Sequence, residues 1–425
     1  MKHPSVRLFA LFVVCLTTLA VAHAASDAAA LTLPPPPPAA VLRHNLDGVA
    51  AETLTGLVLR FNDASLRDGG GVIRLEDARL LHDKRRLPQL ALYNPLDAPA
   101  LFDADPQPLS LYKVLGAVGA AVDRERFYPL MAAAAADAQG MLALPLALSA
   151  PLLYINRDAF AAAGLDAAQP PRDWRRLQQA AAALHKAGFD CPLTSSRFNW
   201  VHLQGIAARR GLPLLEKVGG EQRLTLNKLQ VVKHLSLLSS WFKSRYFIYA
   251  GSGDYANEMF ADGRCAMLTA ASSLQMKLAQ GPLAGRFVVA MTPRDDDAAA
   301  ASEGMLPDGM SLWVMRPLAA TEVRLVAAFI DFLLTPAVQR EWVAATAFLP
   351  MTPQAANAIG GDAATAQALL LQMAFTTSPP QRVLQQRRRI NSIVDEEIAQ
   401  VWDYRKTPKQ ALDDAVQRVG AVALP

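Results

Sequence analysis

The stretch DWRRLQQAAAALHKAG, residues 173–188, carries a complete helix grammar. Trp174, Leu177, Ala181 and Leu184 fall at i, i+3, i+7 and i+10, which places them on one face of an α-helix. Asp173 stands where a side-chain oxygen caps the first turn, and Gly188 where the chain leaves the helix in a left-handed conformation. The same logic recurs downstream. Leu325, Phe329, Phe332 and Leu333 form a second stripe, and Thr335-Pro336 caps and opens a helix running through Trp342. Ile390, Val394, Ile398 and Val401 form a third stripe, after which Thr407-Pro408 opens another helix. Between the helices lie short runs that are apolar throughout, such as 265–268 and 287–291, as strands buried on both faces are. This alternation predicts an α/β fold with helices covering its sheets, and the stripes are core.

The N-terminus reads differently. Lys2 and Arg7 precede an uncharged apolar run over 8–22, followed by Ala22-His23-Ala24, the order of a cleavable secretory signal over residues 1–24. A run of fifteen residues falls short of the ~20 that span a bilayer. Cys15 lacks a small-residue lipobox before it and is not read as a lipid attachment site. A Pro/Ala-rich tether is expected over 25–40, including the five prolines Pro34 to Pro38, and 295–302 reads as an acidic, alanine-rich surface loop. Cleavage would remove two of 42 basic residues and none of 38 acidic ones, leaving 40 against 38. So small a surplus points to no nucleic-acid partner. About 400 residues suggest two domains, and 52% hydrophobic content supports folded structure. Cys191 and Cys265 survive cleavage; a disulfide and two separate buried thiols both fit the sequence.

Catalytic grammar is missing. The chain has no GxSxG elbow, Walker loop, GxGxxG turn, HExxH pair or paired CxxC, so no catalytic residue, cofactor or metal is expected. Its seven histidines are spread between His3 and His234 without metal-ligand spacing. Arg382 and Arg387 to Arg389 form one basic cluster, without interleaved aromatics, and read as a solvated helix start.

Several blocks resemble the family 1 extracellular solute-binding proteins of ABC importers. They are LPLALSAPLLYINRDAF (144–160), AGLD (163–166) and QPPRDW (169–174), then FADGRCAM (260–267), GMSLWVM (309–315) and FLP (348–350). The C-terminal IVDEE (393–397), VW (401–402) and KTPKQALD (406–413) resemble the sn-glycerol-3-phosphate-binding periplasmic members. The likeness covers most of 140–415, with a looser match over 40–105 through His44-Asn45 and Phe61-Asn62. It implies a two-lobed, clam-shell α/β fold like that of maltose-binding protein. Residues 41–148 and 287–345 would form the N-terminal lobe, and 149–286 and 346–425 the C-terminal lobe. It also implies a monomeric periplasmic protein that captures a small solute and hands it to an inner-membrane ABC permease, without being an enzyme.

Carried across residue by residue, the resemblance assigns ligand contacts to Ser149, Ser272, Gly309 and Trp200. Ser272 follows an apolar run and is expected to open a helix, where a hydroxyl and free backbone N–H groups suit an oxyanion; an ordinary N-cap is the plainer alternative. Gly309 reads alternatively as a tight turn and Trp200 as a core aromatic. Asn391 takes the place of the family arginine that meets phosphate, Phe348 that of a tyrosine, and Asn94 that of an acidic residue that binds glycerol hydroxyls. Arg388, three residues before Asn391 on one helix face, is the expected substitute cation. The ligand classes left open are a glycerol-3-phosphate or glycerophosphodiester and an uncharged sugar or oligosaccharide. A periplasmic sensory or interaction subunit that has lost transport is a further alternative.

Overall fold

A computed structural model describes residues 37–81, 87–93, 108–294, 306–360, 363–375 and 384–421. Eleven strands occur among the described residues. They are β1 (Ala39–His44), β2 (Val72–Asp77), β3 (Leu90–Tyr93), β4 (Leu144–Ser149), β5 (Pro151–Asn156), β6 (Leu193–Ser195), β7 (Leu215–Val218), β8 (Glu221–Leu224), β9 (Met267–Ala271), β10 (Phe287–Met291) and β11 (Asp308–Val314). Five form a first sheet in the order β2-β1-β3-β11-β4, and four a second in the order β10-β5-β9-β6. The two sheets, each with its own helices, are the two lobes. A small hairpin, β7–β8, turns at Gly219 and Gly220, both at positive φ as a tight two-residue turn requires.

The all-apolar strands owe their character to burial on both faces. Along β5, Leu153 and Ile155 pack into a core with Trp174, Leu177, Ala181 and Leu184. Leu152 and Tyr154 point the other way, into a cluster with Phe260, Leu274 and Leu278. The helix read from residues 173–188 is observed at Trp174–Lys186; the Asp173 carboxylate accepts from Arg176 N at 2.7 Å, and Gly188 lies at φ 94°. The stripe Ile390, Val394, Ile398 and Val401 is buried in the same core along helix Leu384–Trp402. Leu325, Phe329 and Leu333 are buried in the first lobe's core. One cap differs: the Thr335 hydroxyl donates back to Phe332 O at 2.8 Å instead of capping helix Pro336–Thr346, whose start relies on Pro336.

The chain first passes from lobe to lobe at Ala150, between β4 and β5, and crosses again between β10 and β11 and ahead of helix Leu384–Trp402. The expected lobe boundaries need two corrections. Strand β10 pairs antiparallel with β5 and belongs to the second sheet, so residues 287–291 are not part of the first lobe. Conversely Phe348, Leu349, Met351, Leu369 and Met373 pack into the first lobe's core, so that lobe extends past 345. Apolar patterning marks such segments as buried without saying against which sheet. The tether also ends sooner than 40: Ala39 and Ala40 already pair with Val72 and Ile73, and Pro38 O accepts from Val72 N at 2.8 Å. The signal at 1–24, the loop at 295–302 and most of the tether lie outside the described residues. Among those described, no helix is long and apolar enough to cross a membrane.

Cys191 and Cys265 are joined by a disulfide across 74 residues. It staples the entrances of the parallel neighbours β6 and β9, where Ala266 N also donates to Cys191 O at 2.9 Å. Closing a loop of that length removes about 4 kcal/mol of unfolded-state entropy. The double substitution Cys191→Ser/Cys265→Ser should therefore lower unfolding free energy by about 2–4 kcal/mol, read from urea denaturation. Gly309 sits in β11 opposite Leu148 at φ 144°, and a Cβ there would lie 2.2 Å from Ala147 O. Gly309→Ala should cost about 2–4 kcal/mol in the same assay, since both the clash and the backbone conformation oppose it.

Candidate functional site

A cleft of about 530 Å³ opens where residues of both lobes meet. The first lobe contributes Asn45, Asp47 and the start of helix Gly48–Arg67, together with Ser149 at the end of β4 and Asp308 and Gly309 at the start of β11. The second contributes Arg197, Trp200, Asp254, Asn257, Ser273 and Lys277. A second cavity of about 630 Å³ shares Arg197, Trp200 and Asp254 with the cleft and continues to Asn199, Tyr249, Asn391 and Asp395. Four of the expected contacts, Ser149, Trp200, Gly309 and Phe348, thus line the cleft, and Asn391 lines the adjoining cavity.

Trp200 is held in a buried π-helical turn, Asn199–Gln204, and its indole N–H donates to Leu306 O at 3.0 Å, just ahead of β11. It therefore joins the second lobe to the first lobe's strand. Phe348 stacks on Trp342 with ring centroids 5.7 Å apart, and brings no hydroxyl to the cleft. Gly309 is required by its close approach to Ala147 O, so the strand pairing alone accounts for it. Asn391 Oδ1 accepts from Gln204 Nε2 at 2.8 Å.

Ser272 departs from expectation. It is 1% exposed, its hydroxyl donates to Ala347 O at 3.2 Å and accepts from Ala150 N at 3.3 Å, and its N–H donates to Ala150 O at 2.8 Å. The side chain ties the lobe crossing to the left-handed C-cap of helix Pro336–Thr346, while its neighbour Ser273, at the start of helix Leu274–Ala279, lines the cleft. Arg388 lies on helix Leu384–Trp402, but its side chain, like all of Asn94, is outside the described residues.

Sequence reasoning missed the charged groups of the site. Arg197 Nη2 and Asp308 Oδ2 lie 3.1 Å apart, with the side chains 20% and 3% exposed, and the pair spans the two lobes. The Arg197 guanidinium also sits 5.9 Å from the Trp200 ring centroid. Its backbone is left-handed at φ 48°, held by Arg197 N donating to Gly253 O at 2.9 Å. Nothing in the local sequence announces that conformation. Behind the cavity, His202 Nδ1 and His234 Nε2 lie 3.1 Å apart, and His202 Nε2 is 3.0 Å from Thr269 Oγ1. Burial holds both imidazoles neutral, well below their ordinary pKa, so they support the Trp200 turn as an uncharged network. No group of three or more His, Cys, Asp or Glu among the described residues can hold a metal ion.

Asp395 is the perturbed acid of the cavity. Burial raises its carboxyl pKa to about 7, with the Glu396 charge adding to the shift and Asn199 and the Arg197 charge opposing it. The folded state thus binds more protons than the unfolded chain between pH ~4 and ~7, so Asp395 subtracts stability as pH rises through that window. Asp395→Asn should gain stability relative to the parent between pH 5 and pH 8, measured by urea unfolding at each pH.

The family model for bacterial extracellular solute-binding proteins matches residues 88–370. The sn-glycerol-3-phosphate-binding periplasmic protein UgpB of Salmonella typhi is 36% identical over 329 residues, covering 72% of this chain and 73% of that one. Its Escherichia coli counterpart is 35% identical over the same shares. Among solved structures, the cyclic alpha-maltosyl-1,6-maltose binding protein from Arthrobacter globiformis superposes with a TM-score of 0.70 at 18% identity, covering 91% of this chain and 99% of that one. UgpB from Mycobacterium tuberculosis, solved in complex with glycerophosphocholine, gives 0.68 at 19% identity, covering 90% and 98%. Both lobes thus share the arrangement of maltose-binding-protein-like proteins. With two thirds of its length matched by the family model and relatives above 30% identity, the chain belongs to the bacterial extracellular solute-binding protein family.

Proposed function

We propose that the chain is the periplasmic substrate-binding component of an ABC importer. It captures a glycerol-3-phosphate or glycerophosphodiester-type ligand and delivers it to an inner-membrane permease, acting as a monomer without turning the ligand over. The observation that carries this reading is the two-sided cleft. Ser149, Gly309 and Trp200 line it in a chain 36% identical to relatives named for binding sn-glycerol-3-phosphate. Ligand contacts from both lobes favour the closed arrangement, which a permease can recognise by shape. Export by a signal over residues 1–24 fits that location and the disulfide, which persists in an oxidising compartment.

A second reading, an uncharged sugar or oligosaccharide, is favoured by the replacement of the expected arginine with Asn391 and by Asp254 and Asp395 in the adjoining cavity. The two separate in a thermal-shift assay of the chain against sn-glycerol-3-phosphate, glycerophosphocholine and maltose. Ligand at 100 times its Kd adds about 2.7 kcal/mol to stability. The expected outcome is a Tm rise of several degrees with the glycerophosphates and none with maltose; a rise with maltose alone overturns the reading.

A further inference from the structure

The resemblance puts a phosphate-meeting arginine where this chain has Asn391, yet the cavity Asn391 lines also contains the guanidinium of Arg197. Among the described residues, Arg197 is the cation that lines both cavities, because it stands at their junction beside Trp200. Lys277, which also lines the cleft, is exposed, so solvent and salt screen its charge. Arg197 by contrast is mostly buried and is held by a left-handed backbone that a non-glycine residue adopts at a cost. Its ion pair with Asp308 crosses between lobes, so any ligand filling the cleft meets that pair directly.

We propose that Arg197 recognises the acidic group of the ligand, in place of the arginine that the resemblance expects at Asn391, and that the ligand takes Arg197 over from Asp308. The chemistry fits a polyol carrying an oxyanion. The oxyanion accepts from the guanidinium fork, and the ligand's hydroxyls donate to the Asp308 carboxylate, so neither buried charge is left without a partner. Before the ligand arrives, the two side chains neutralise each other; afterwards, one molecule bridges them and thereby both lobes. This deepens the proposed function, on which it rests for the ligand's acidity.

The test is calorimetric titration of the parent and variants with sn-glycerol-3-phosphate, glucose 6-phosphate and maltose, with thermal unfolding of each variant recorded alongside. Arg197→Ala should weaken binding of the phosphorylated ligand at least ~100-fold. Arg197→Lys, which keeps the charge and loses the fork, should weaken it at least ~10-fold and serves if the alanine variant fails to fold. Asp308→Asn removes the competing charge while its amide oxygen still accepts a hydroxyl, so affinity should rise about 3–10-fold. A merely structural bridge predicts the opposite, an equal loss in Asp308→Asn and Arg197→Ala, and that result overturns the proposal. Binding of sn-glycerol-3-phosphate that survives Arg197→Ala overturns it too, while leaving the functional reading intact. Binding of glucose 6-phosphate alone, lost in Arg197→Ala, supports the role of Arg197 and overturns the glycerophosphate reading. Binding of maltose alone overturns both.

Discussion

Every buried backbone N–H and C=O must find a partner, and at the lobe crossing Ala150 must find its own outside both sheet ladders. The segment from Leu144 to Asn156 is buried throughout, yet its first half belongs to one sheet and its second half to another. Ala150 lies between the two ladders, and Ser272 supplies both of its partners: its hydroxyl accepts from Ala150 N, and its backbone N–H donates to Ala150 O. The same hydroxyl donates to Ala347 O, and Leu349 N donates to Leu148 O, so a later part of the chain is fastened to the crossing as well. The cleft inherits its geometry from this knot. Ser149 comes one residue before it, and Asp308 and Gly309 are set by their register against β4.

Charge is distributed unevenly over that frame. Asp308 is almost fully buried on the first lobe and pairs with Arg197 of the second, so an ion pair at the cleft joins the lobes. Asp395, deeper in the second lobe, answers burial by holding its proton to near pH 7. The His202 and His234 pair answers it by staying neutral. Arg197 and Asp308 instead keep their charges by pairing with each other at the cleft.

Elements whose signal is local were legible. Helix Trp174–Lys186 was readable from its stripe, cap and glycine, because a helix face needs only its own period to be recognised. Blocks around 144–174 and 393–413 were specific enough to give the family, and four proposed contacts line the cleft. Long-range assignments were less legible. Strand β10 reads as buried from its composition, but its pairing with β5 is a choice among several edges that patterning does not rank. Ser272 was assigned to the ligand by the resemblance, with an N-cap as the plainer reading; its hydroxyl and N–H are instead taken by the backbone of Ala150, far away in sequence.

By itself, then, the sequence determined the α/β class, the helices whose stripes and caps it displays, and the family, since these depend on periodicity and on short contiguous motifs. The tertiary structure alone decided which sheet each crossing segment joins, that Cys191 and Cys265 bond, and that Arg197 meets Asp308. The physical reason is that such choices depend on which distant groups can satisfy a buried charge or an unpaired backbone atom, and neither partner carries a local mark of the other.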